Sequence, residues 1–269
     1  MNFEFDKIFD ICDQKEIFNE FENLIESVFD GYKVCVFAYG QTGSGKTYTM
    51  IGDEKNPGLI YNSMELLFKL KEENKNFNIS IKGIFKEIYN EEIFNLGDKN
   101  INEYELTDLE TSINIIKNIS NLRITKSTKC NVQSSRSHLV CTINIEMKNE
   151  NELRIGTLCF VDLAGSERLN QSQVEGLRLK ETQNINKSLS TLGDVITALK
   201  RKDSHIPYRN SKLTFLLSSY FQGKSRVVMI LNINSDVNML NETMSTFRFG
   251  SKISECKLGQ AEKTLTKKI

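Results

Sequence analysis

The sequence predicts an α/β domain built around a phosphate-binding loop. Apolar runs typical of strands alternate with helical patterns along the chain. A glycine-rich loop follows one of these strands, and another strand ends in a carboxylate, where α/β sheets place their ligand chemistry. The chain has 269 residues and two prolines, and no low-complexity linker or internal repeat divides it. We therefore expect one domain.

The composition is that of a soluble globular protein. Hydrophobic residues make up 39% of the chain, charged residues 26%, and the formal net charge is zero, so any charged partner must be met by a local patch. The start of the chain does not resemble a signal sequence, and no apolar run approaches the length of a membrane helix. The six cysteines form no C-x-x-C pair, which favours buried, reduced thiols in a cytosolic or nuclear protein.

The first half of the chain predicts a helix and a strand before the glycine-rich loop, and a helix, a strand and a further helix after it. Residues 16–29 place apolar side chains on one helical face, and residues 33–38 form a β-rich run. Pro57 and Gly58 mark a turn, after which Ile60, Met64 and Leu67 indicate a helix. Residues 79–89 alternate like a strand, and residues 111–122 follow a helical pattern.

The second half predicts three strands and two helices. Residues 140–147 and 155–162 are expected to be strands, and the second of these ends at Asp162. The clearest helix covers residues 184–199, in which Ile185, Leu189, Leu192 and Ile196 fall at helical spacing. A buried strand at 226–233 and a helix at 240–256 complete the order.

The stretch "FAYGQTGSGKTYTM" (37–50) contains the phosphate-loop pattern Gly-x4-Gly-Lys-Ser/Thr. Its glycines let backbone N–H groups approach phosphates, and the helix that follows presents its positive end. Lys46 can reach the β- and γ-phosphates, and the Thr47 hydroxyl can ligate Mg²⁺. The alternative is a chance glycine-rich turn, which the preceding strand and the following helix disfavour.

Two further segments suit a nucleotide site. In "VDLAGSER" (161–168), Asp162 closes an apolar strand, the position for a carboxylate that holds Mg²⁺ through water, and the N–H of Gly165 is placed to sense a γ-phosphate. "NVQSSRSH" (131–138) can be a polar surface loop, or Arg136 can be a phosphate sensor that meets Glu167. For His138, taken alone, a structural role is favoured over that of a general base. Guanine specificity normally uses Asn-Lys-x-Asp, which the Asn-Lys pairs here do not continue, so ATP is preferred over GTP.

Together these segments resemble the motor domain of the kinesin family over residues 3–259. The resemblance also includes "FKEIYNEEIFNL" (85–96), "NINKSLSTLGDVITAL" (184–199), "HIPYRNSKLT" (205–214) and "NETMSTFRFGSKI" (241–253). It implies a P-loop NTPase fold with a central, mostly parallel, twisted sheet flanked by helices on both faces. The expected domain covers residues 1–259, and residues 260–269 form a short basic tail.

The resemblance also implies roles for individual residues, with ATP and Mg²⁺ as cofactors. ATP would be held by Gly40, Gln41, Thr42, Gly43, Ser44, Gly45, Lys46, Thr47 and Tyr48, the last beside the adenine. Mg²⁺ would be held by Thr47, Ser135 and Asp162. The catalytic set would be Asn131, Ser134, Gly165, Arg136 and Glu167, in which an Arg136–Glu167 bridge closes the site.

The implied partner is the microtubule, and the implied location is the cytoplasmic cytoskeleton, including the spindle. Lys187, Arg209 and Lys212 match family positions that face tubulin, whose acidic surface suits a local basic patch. Lys200, Arg201 and Lys202 add positive charge there, although this run fits a C-terminal helix cap equally well when taken alone. The end of the chain resembles the C-terminal-motor, minus-end-directed kinesins, which dimerise through an upstream coiled coil. No nucleic-acid or membrane-inserted role is expected.

The chain departs from the family pattern at its start. Family motors open with a strand that ends in Arg-x-Arg-Pro, whereas residues 3–9 here already resemble the next strand. Because the first strand is internal in the family sheet, its loss predicts unpaired backbone and exposed apolar surface. Two hypotheses follow: a microtubule-stimulated ATPase motor, or a catalytically impaired relative that binds tubulin as a scaffold. A P-loop NTPase that is not a motor is the third alternative.

Overall fold

The computed structural model of the protein describes residues 2–10, 13–98, 100–129, 133–167, 177–222, 224–256 and 258–266. The helices are α1 (Gln14–Asn19), α2 (Glu22–Phe29), α3 (Lys46–Met50), α4 (Leu59–Glu73), α5 (Leu109–Lys129), α6 (Leu177–Arg201), α7 (Lys212–Leu217) and α8 (Leu240–Ser254). The strands are β1 (Lys33–Tyr39), β2 (Asn78–Tyr89), β3 (Glu92–Asn95), β4 (Tyr104–Glu105), β5 (His138–Lys148), β6 (Leu153–Asp162), β7 (Ser225–Leu231) and β8 (Leu265–Thr266).

The sheet has the order β3-β2-β5-β6-β1-β7, with β4 paired to β2 and β8 paired to β6. The central strand β1 runs parallel to β6 and to β7. Strand β5 is antiparallel to both β2 and β6, and β3 is antiparallel to β2. The sheet is therefore mixed, and the expectation of a mostly parallel sheet was wrong.

A tight turn explains the antiparallel pairing of β5 and β6. The side chain of Asn149 accepts hydrogen bonds from the backbone N–H groups of Asn151 (2.8 Å) and Glu152 (2.9 Å). The backbone N–H of Asn149 donates to the carbonyl of Glu152 at 3.1 Å. A connection this short can join only antiparallel neighbours, because parallel strands need a long crossover.

Helices cover both faces of the sheet, as predicted. Alternate residues of β1 point to opposite sides, so that Val34, Val36 and Ala38 belong to the core shared with α2, α4 and α5. Cys35, Phe37 and Tyr39 belong to the core shared with α6, α7 and α8. Strand β1 is buried on both faces, which places the loop that follows it at the centre of the molecule. Of the cysteines, Cys35, Cys141 and Cys159 are buried, as expected.

The predicted helix over 16–29 is two helices. The side chain of Asp13 caps α1 by accepting a hydrogen bond from the N–H of Glu16, and the chain bends at Glu20 and Phe21 before α2. The apolar spacing is unaffected by the bend, so the pattern does not reveal it. The helices predicted after Pro57 and Gly58, at 111–122 and at 184–199 lie within α4, α5 and α6, of which α5 and α6 are longer than predicted, and the helix predicted at 240–256 extends two residues beyond α8.

The start of the chain lies beside the outer edge of β7. Residues 2–9 form no strand, so their likeness to a strand is not realised, and the rings of Phe3 and Phe5 pack on Phe247 at 5.3 and 5.7 Å. Within the described ranges, no strand pairs with the outer edge of β7, which adjoins a cavity of about 820 Å³. The side chains of β7 are mostly half-buried, which agrees with the predicted unpaired edge.

The end of the chain returns to the sheet. Thr264 donates its N–H to the carbonyl of Gly31 at 2.8 Å, and Thr266 pairs with Leu153 of β6. The segment predicted as a basic tail therefore contacts the domain. Among the described helices, none combines the length and apolar character needed to cross a membrane.

We predict that Gly156→Ala destabilises the fold. A Cβ at Gly156 would lie 2.0 Å from the carbonyl oxygen of Val28 and 2.6 Å from its side chain, so β6 and α2 would have to separate. The expected loss in the free energy of unfolding is about 1–3 kcal/mol, measured by urea denaturation.

The matched control is Gly193→Ala in α6, where a Cβ would meet Phe249 at an ordinary 3.5 Å. Replacing a glycine inside a helix should stabilise the protein by roughly 0.5–1 kcal/mol. Equal stability of Gly156→Ala and the wild type would contradict the close approach of β6 and α2.

Candidate nucleotide site

The glycine-rich loop lies between the end of β1 and the start of α3. Gly40, Gly43 and Gly45 have φ of +153°, +78° and +96°, which only glycine adopts easily. A Cβ on Gly40 would lie 2.0 Å from the carbonyl oxygen of Asn232, at the end of β7. The loop is therefore held against the sheet by contacts that exclude other residues at this position.

Lys46 is buried beneath this loop. Its Nζ donates hydrogen bonds to the carbonyl oxygens of Gly40 and Gln41, both at 2.8 Å. Burial lowers the pKa of Lys46, and the negative charges of Asp162 and Glu167 oppose that shift. The ammonium group is thus held at the centre of the loop, the position that phosphate binding requires.

Ser44 and Tyr48 lie on either side of Lys46 in the sequence. The hydroxyl of Ser44 donates to the carbonyl of Gln41 at 2.8 Å. Tyr48 is 48% exposed on α3, an accessible position for a residue predicted to lie beside adenine. Its carbonyl accepts a 2.6 Å hydrogen bond from Gln14, which ties α1 to the loop.

Asp162 joins three elements at the end of β6. Its Oδ2 accepts a hydrogen bond from the Thr47 hydroxyl at 2.8 Å and forms a 2.6 Å ion pair with Arg123 of α5. Both charged side chains are almost fully buried, and Arg123 also donates to the carbonyl of Ser137 at 3.0 Å. A buried charge must be paired in this way to be tolerated.

The Thr47–Asp162 contact fits a magnesium site. Oδ1 of Asp162 is buried and has no hydrogen-bond partner among the residues that the structure describes, so one carboxylate oxygen remains for a cation or its water. The described residues hold no cluster of three or more acidic, histidine or cysteine ligands. Mg²⁺ does not require one, because it is usually held by one or two protein oxygens together with phosphates and waters.

The segments around Ser135 and Gly165 are in direct contact. The N–H of Gly165, predicted to face a γ-phosphate, donates instead to the carbonyl of Ser135 at 2.9 Å, and the N–H of Ser166 donates to the carbonyl of Gly40 at 3.1 Å. Ser134 lies in the 3-10 turn Gln133–Arg136. Asn131 lies outside the described residues. The phosphate loop and the described parts of the segments 131–138 and 161–168 thus form one cluster.

His138 is a buried link between these segments. Its Nδ1 accepts a hydrogen bond from the N–H of Ala164 at 3.0 Å, so Nε2 carries the proton and donates to Ser188 of α6 at 2.8 Å. Burial, helped by the positive charges of Arg123 and Lys46, lowers the pKa of His138 to about 3. Its hydrogen bonds and low pKa agree with the predicted structural role.

Arg136 and Glu167 do not form the expected bridge. Arg136 pairs with Glu181 of α6 at 2.6 Å. The carboxylate of Glu167 accepts hydrogen bonds from the N–H (2.8 Å) and hydroxyl (2.5 Å) of Thr42. Folding brings Glu181, which the sequence did not indicate, to Arg136, while the phosphate loop provides the partners of Glu167.

The three residues predicted to face tubulin lie exposed on neighbouring elements. Lys187 is on α6, Arg209 is on the 3-10 turn Tyr208–Asn210, and Lys212 begins α7, and these elements pack together. Lys200 forms an ion pair with Glu255, so the run at 200–202 contributes less positive charge than expected. Arg201 and Lys202 are exposed.

Sequence reasoning missed four residues at the site. Arg123 lies just beyond the predicted helix 111–122 in no recognisable motif, and its partner is distant in sequence. Gln14, Asn232 and Glu181 likewise give no local signal. Asn232, which follows β7, donates from Nδ2 to the Thr49 hydroxyl of α3 at 2.9 Å. Only the fold shows that these side chains reach the phosphate loop or the residues around it.

Comparison with known proteins gives one family. The family model described as the kinesin motor domain matches residues 1–256. Kinesin-like protein KAR3 of Saccharomyces cerevisiae is 44% identical over 95% of this chain and 40% of its own length. Carboxy-terminal kinesin 2 of Xenopus laevis is 42% identical over 97% and 45%, and Kinesin-like protein KIN-14E of Oryza sativa is 42% identical over 97% and 26%. The chain thus spans less than half of each of these relatives.

Solved structures show the same fold. The motor domain of KAR3 of Saccharomyces cerevisiae superposes with a TM-score of 0.83 at 42% identity, covering 94% of this chain and 84% of that one. A structure described as a fast kinesin gives a TM-score of 0.86 at 34% identity, covering 98% and 82%. The mixed sheet and its helices are therefore those of solved motor domains.

We predict that His138 makes stability depend on pH. The unfolded chain binds a proton at the ordinary histidine pKa of about 6.5, whereas the folded protein does so only at about 3. Stability from this residue is complete above pH 6.5 and is lost as the pH falls towards 3. Between pH 7.5 and 5.0, His138→Gln should lose about 2 kcal/mol less unfolding free energy than the wild type.

Urea denaturation at both pH values provides the measurement. The control is His205→Gln, because His205 is the other histidine of the chain and is exposed. It should keep the pH dependence of the wild type. If His138→Gln and the wild type showed the same pH dependence, the inference that His138 is buried and neutral in the folded protein would be refuted.

Proposed function

Because the chain belongs to the kinesin motor-domain family, we propose that it is a microtubule-stimulated ATPase that moves along or exerts force on microtubules. The observation that carries this proposal is the 2.8 Å contact between Thr47 and Asp162, beside the buried Lys46. It joins the phosphate loop to the carboxylate end of β6, as hydrolysis of a magnesium nucleotide requires.

In this proposal ATP occupies the loop from Gly40 to Thr47, with Tyr48 beside the base. Thr47, Asp162 and Ser135 would hold Mg²⁺, which supplies charge neutralisation at the β- and γ-phosphates when bound. The ammonium group of Lys46 would then donate hydrogen bonds to phosphate oxygens instead of the carbonyls of Gly40 and Gln41. The described structure supports the roles of Thr47, Lys46 and Asp162 by their contacts, and those of Asn131 and Ser134 rest on the resemblance.

Arg136, Glu167 and Gly165 would act at the γ-phosphate. Arg136 would stabilise its negative charge, and Glu167 would receive Arg136 when the site closes. The N–H of Gly165 would turn from the Ser135 carbonyl towards the nucleotide. These steps require that Arg136 leaves Glu181 and that Glu167 leaves Thr42, so closure involves an exchange of hydrogen-bond partners.

The microtubule would bind the surface formed by Lys187, Arg209 and Lys212. Their positive charges suit the acidic surface of tubulin, and α6 links this surface to the site through the hydrogen bond between Ser188 and His138. We expect the protein on cytoplasmic microtubules and in the C-terminal-motor class, in line with its likeness to the relative named carboxy-terminal kinesin 2. Dimerisation would use a coiled coil outside this sequence.

We predict that polymerised tubulin stimulates ATP hydrolysis by this chain. Arg136→Ala and Glu167→Ala should each reduce stimulated kcat at least about a hundredfold, because they remove charge stabilisation and closure. Their affinity for a fluorescent nucleotide should change much less. Steady-state phosphate release at low salt and fluorescence titration provide the two measurements.

The control for hydrolysis is Lys117→Ala, an exposed lysine of α5, which should behave as the wild type. A folded wild-type chain that binds microtubules but hydrolyses no ATP would reject the motor and favour the tubulin-binding scaffold. A chain that hydrolyses ATP without binding microtubules would favour the non-motor NTPase.

We also predict that Lys187→Ala, Arg209→Ala and Lys212→Ala each weaken microtubule binding by roughly two- to fivefold, the effect of losing one exposed charge contact. Cosedimentation at increasing salt should show weaker binding and a shallower salt dependence in each variant. Lys117→Ala serves again as control, because α5 covers the opposite face of the sheet from α6. Unchanged binding in all three variants would place the tubulin surface elsewhere.

A further inference from the structure

The segment that follows α6 carries a serine behind two basic residues. Ser204 is preceded by Lys202 two positions earlier and by Arg201 three positions earlier. No other serine or threonine of the sequence has basic residues at both of these positions. A protein kinase whose substrate groove is acidic selects such a pair of cations, because each basic side chain can pair with a carboxylate of the groove.

This serine is accessible on the folded protein. Residues 201–205 are all exposed. Helix α6 ends at Arg201, and Lys202 adopts a positive φ of 56°, so the chain turns away from the helix axis. Within the described part of the chain, Ser204 makes no hydrogen bond through its backbone or its hydroxyl. A kinase can therefore bind the segment around Ser204 without breaking a helix or a strand.

The two basic residues are available for recognition. The side chains of Arg201 and Lys202 form no ion pair with any residue that the structure describes. Their neighbour Lys200 differs, because it is already paired with Glu255 of the segment after α8. The free cations are thus the two at the positions that a kinase with an acidic groove selects.

Ser204 lies between the elements that carry the proposed microtubule surface. The chain returns to the core at Ile206 and Tyr208, which pack in the cluster formed with α6 and α7. Arg209 follows in the 3-10 turn, and Lys212 begins α7, which packs against that turn. A group attached to Ser204 would therefore lie on the exposed connection between α6 and these basic residues.

We propose that Ser204 is a phosphorylation site for a kinase that selects basic residues, and that its phosphate weakens attachment to the microtubule. In this reaction Oγ of Ser204 attacks the γ-phosphorus of an ATP held by the kinase. The hydroxyl proton passes to a base of the kinase, and ADP leaves. The weakening rests on the proposed microtubule function, whereas the modification does not.

The phosphate would act through its charge. It adds about −1.5 to −2 charges at neutral pH, and it can pair with Arg201 and Lys202, which removes their positive charge from the surface as well. An acidic partner is then repelled where it was attracted. Because one exposed charge contact changes affinity by roughly two- to fivefold, a change of about two charges should weaken binding about tenfold at low salt. Added salt should reduce this difference.

The modification is tested with the catalytic subunit of cyclic-AMP-dependent protein kinase and Mg-ATP, and mass spectrometry of the chain and its peptides locates the phosphate. We expect one phosphate per chain, at Ser204, and none in Ser204→Ala. Combining Arg201→Gln with Lys202→Gln should lower the initial rate of phosphorylation at least about tenfold, because it keeps the serine and removes the cations that the kinase recognises.

The matched control is Ser245→Ala. Ser245 is exposed on α8, and Thr243 and Glu242 occupy the positions that Lys202 and Arg201 hold before Ser204. Its replacement should leave phosphate incorporation unchanged. Incorporation that persists in Ser204→Ala, or a folded wild type that takes up no phosphate, would overturn the site.

Cosedimentation with microtubules tests the effect on binding. The phosphorylated chain should bind about tenfold more weakly than the unmodified chain at low salt. Ser204→Glu should show part of this loss, and Ser204→Gln, which is uncharged, should bind as the wild type does. The control Asn118→Glu adds the same charge at an exposed position of α5, on the opposite face of the sheet, and should leave binding unchanged.

The two measurements separate this proposal from the proposed function. Equal affinities of the unmodified and the fully phosphorylated chain for microtubules would overturn the control of binding by Ser204. If Ser204 takes up phosphate but the unmodified chain does not bind microtubules, the proposed function fails and the modification site stands.

Discussion

The buried carboxylate of Asp162 is the constraint on which the arrangement of the nucleotide site depends. A charge at 2% exposure is tolerated only with close partners, and Asp162 finds them in Arg123 and Thr47. These partners come from α5 and α3, so one carboxylate fixes the relative positions of three elements. Arg123 then extends the constraint to Ser137, which precedes β5. The phosphate loop, the carboxylate end of β6 and the segment before β5 therefore cannot move independently without exposing a buried charge.

A second layer of neutral hydrogen bonds completes this constraint. His138 is prevented from becoming charged by burial and by the nearby Arg123 and Lys46, and its fixed tautomer joins Ala164 to Ser188. This connection leads from the phosphate site into α6, the helix that also holds Arg136 through Glu181. The charged pairs therefore fix the position of the phosphate site, and the neutral His138 connects that site by hydrogen bonds to α6, which carries the exposed Lys187. His138 cannot take part as a charged group, because a positively charged imidazole would be repelled by the nearby guanidinium of Arg123.

The sequence predicted the strands and helices that carry strong patterns and left the long-range pairs undetermined. Strands β1 and β6 are evident because they are largely buried, and because Gly40 follows the first and Asp162 ends the second, residues whose chemistry is recognisable. The bend at Phe21 is invisible because apolar spacing continues through it. The direction of β5 depends on the hydrogen bonds of Asn149, which no periodicity shows. Sequence reasoning paired Arg136 with Glu167 and did not point to Glu181, because the observed pair depends on where α6 lies, a distance that only the folded chain defines.

The unpaired edge of β7 does not remove the support of the phosphate loop. The loop is held from the inner side of the sheet: β1 leads into it, β6 supplies Asp162, and the N–H of Asn232 donates to the carbonyl of Tyr39 at 2.8 Å. The side chain of Asn232 reaches Thr49 from the same side. A strand beyond β7 would add hydrogen bonds to the outer edge and fill the cavity that residues 2–10 line together with Ser44, Thr49 and Asn232. Asp162 and the carbonyls of Gly40 and Gln41, which contact Thr47 and Lys46, do not line that cavity. The contacts of Lys46 and Thr47 are therefore made by the loop itself and by Asp162 of β6, which Arg123 of α5 holds in place. An open outer edge affects the stability of the sheet before it affects these contacts.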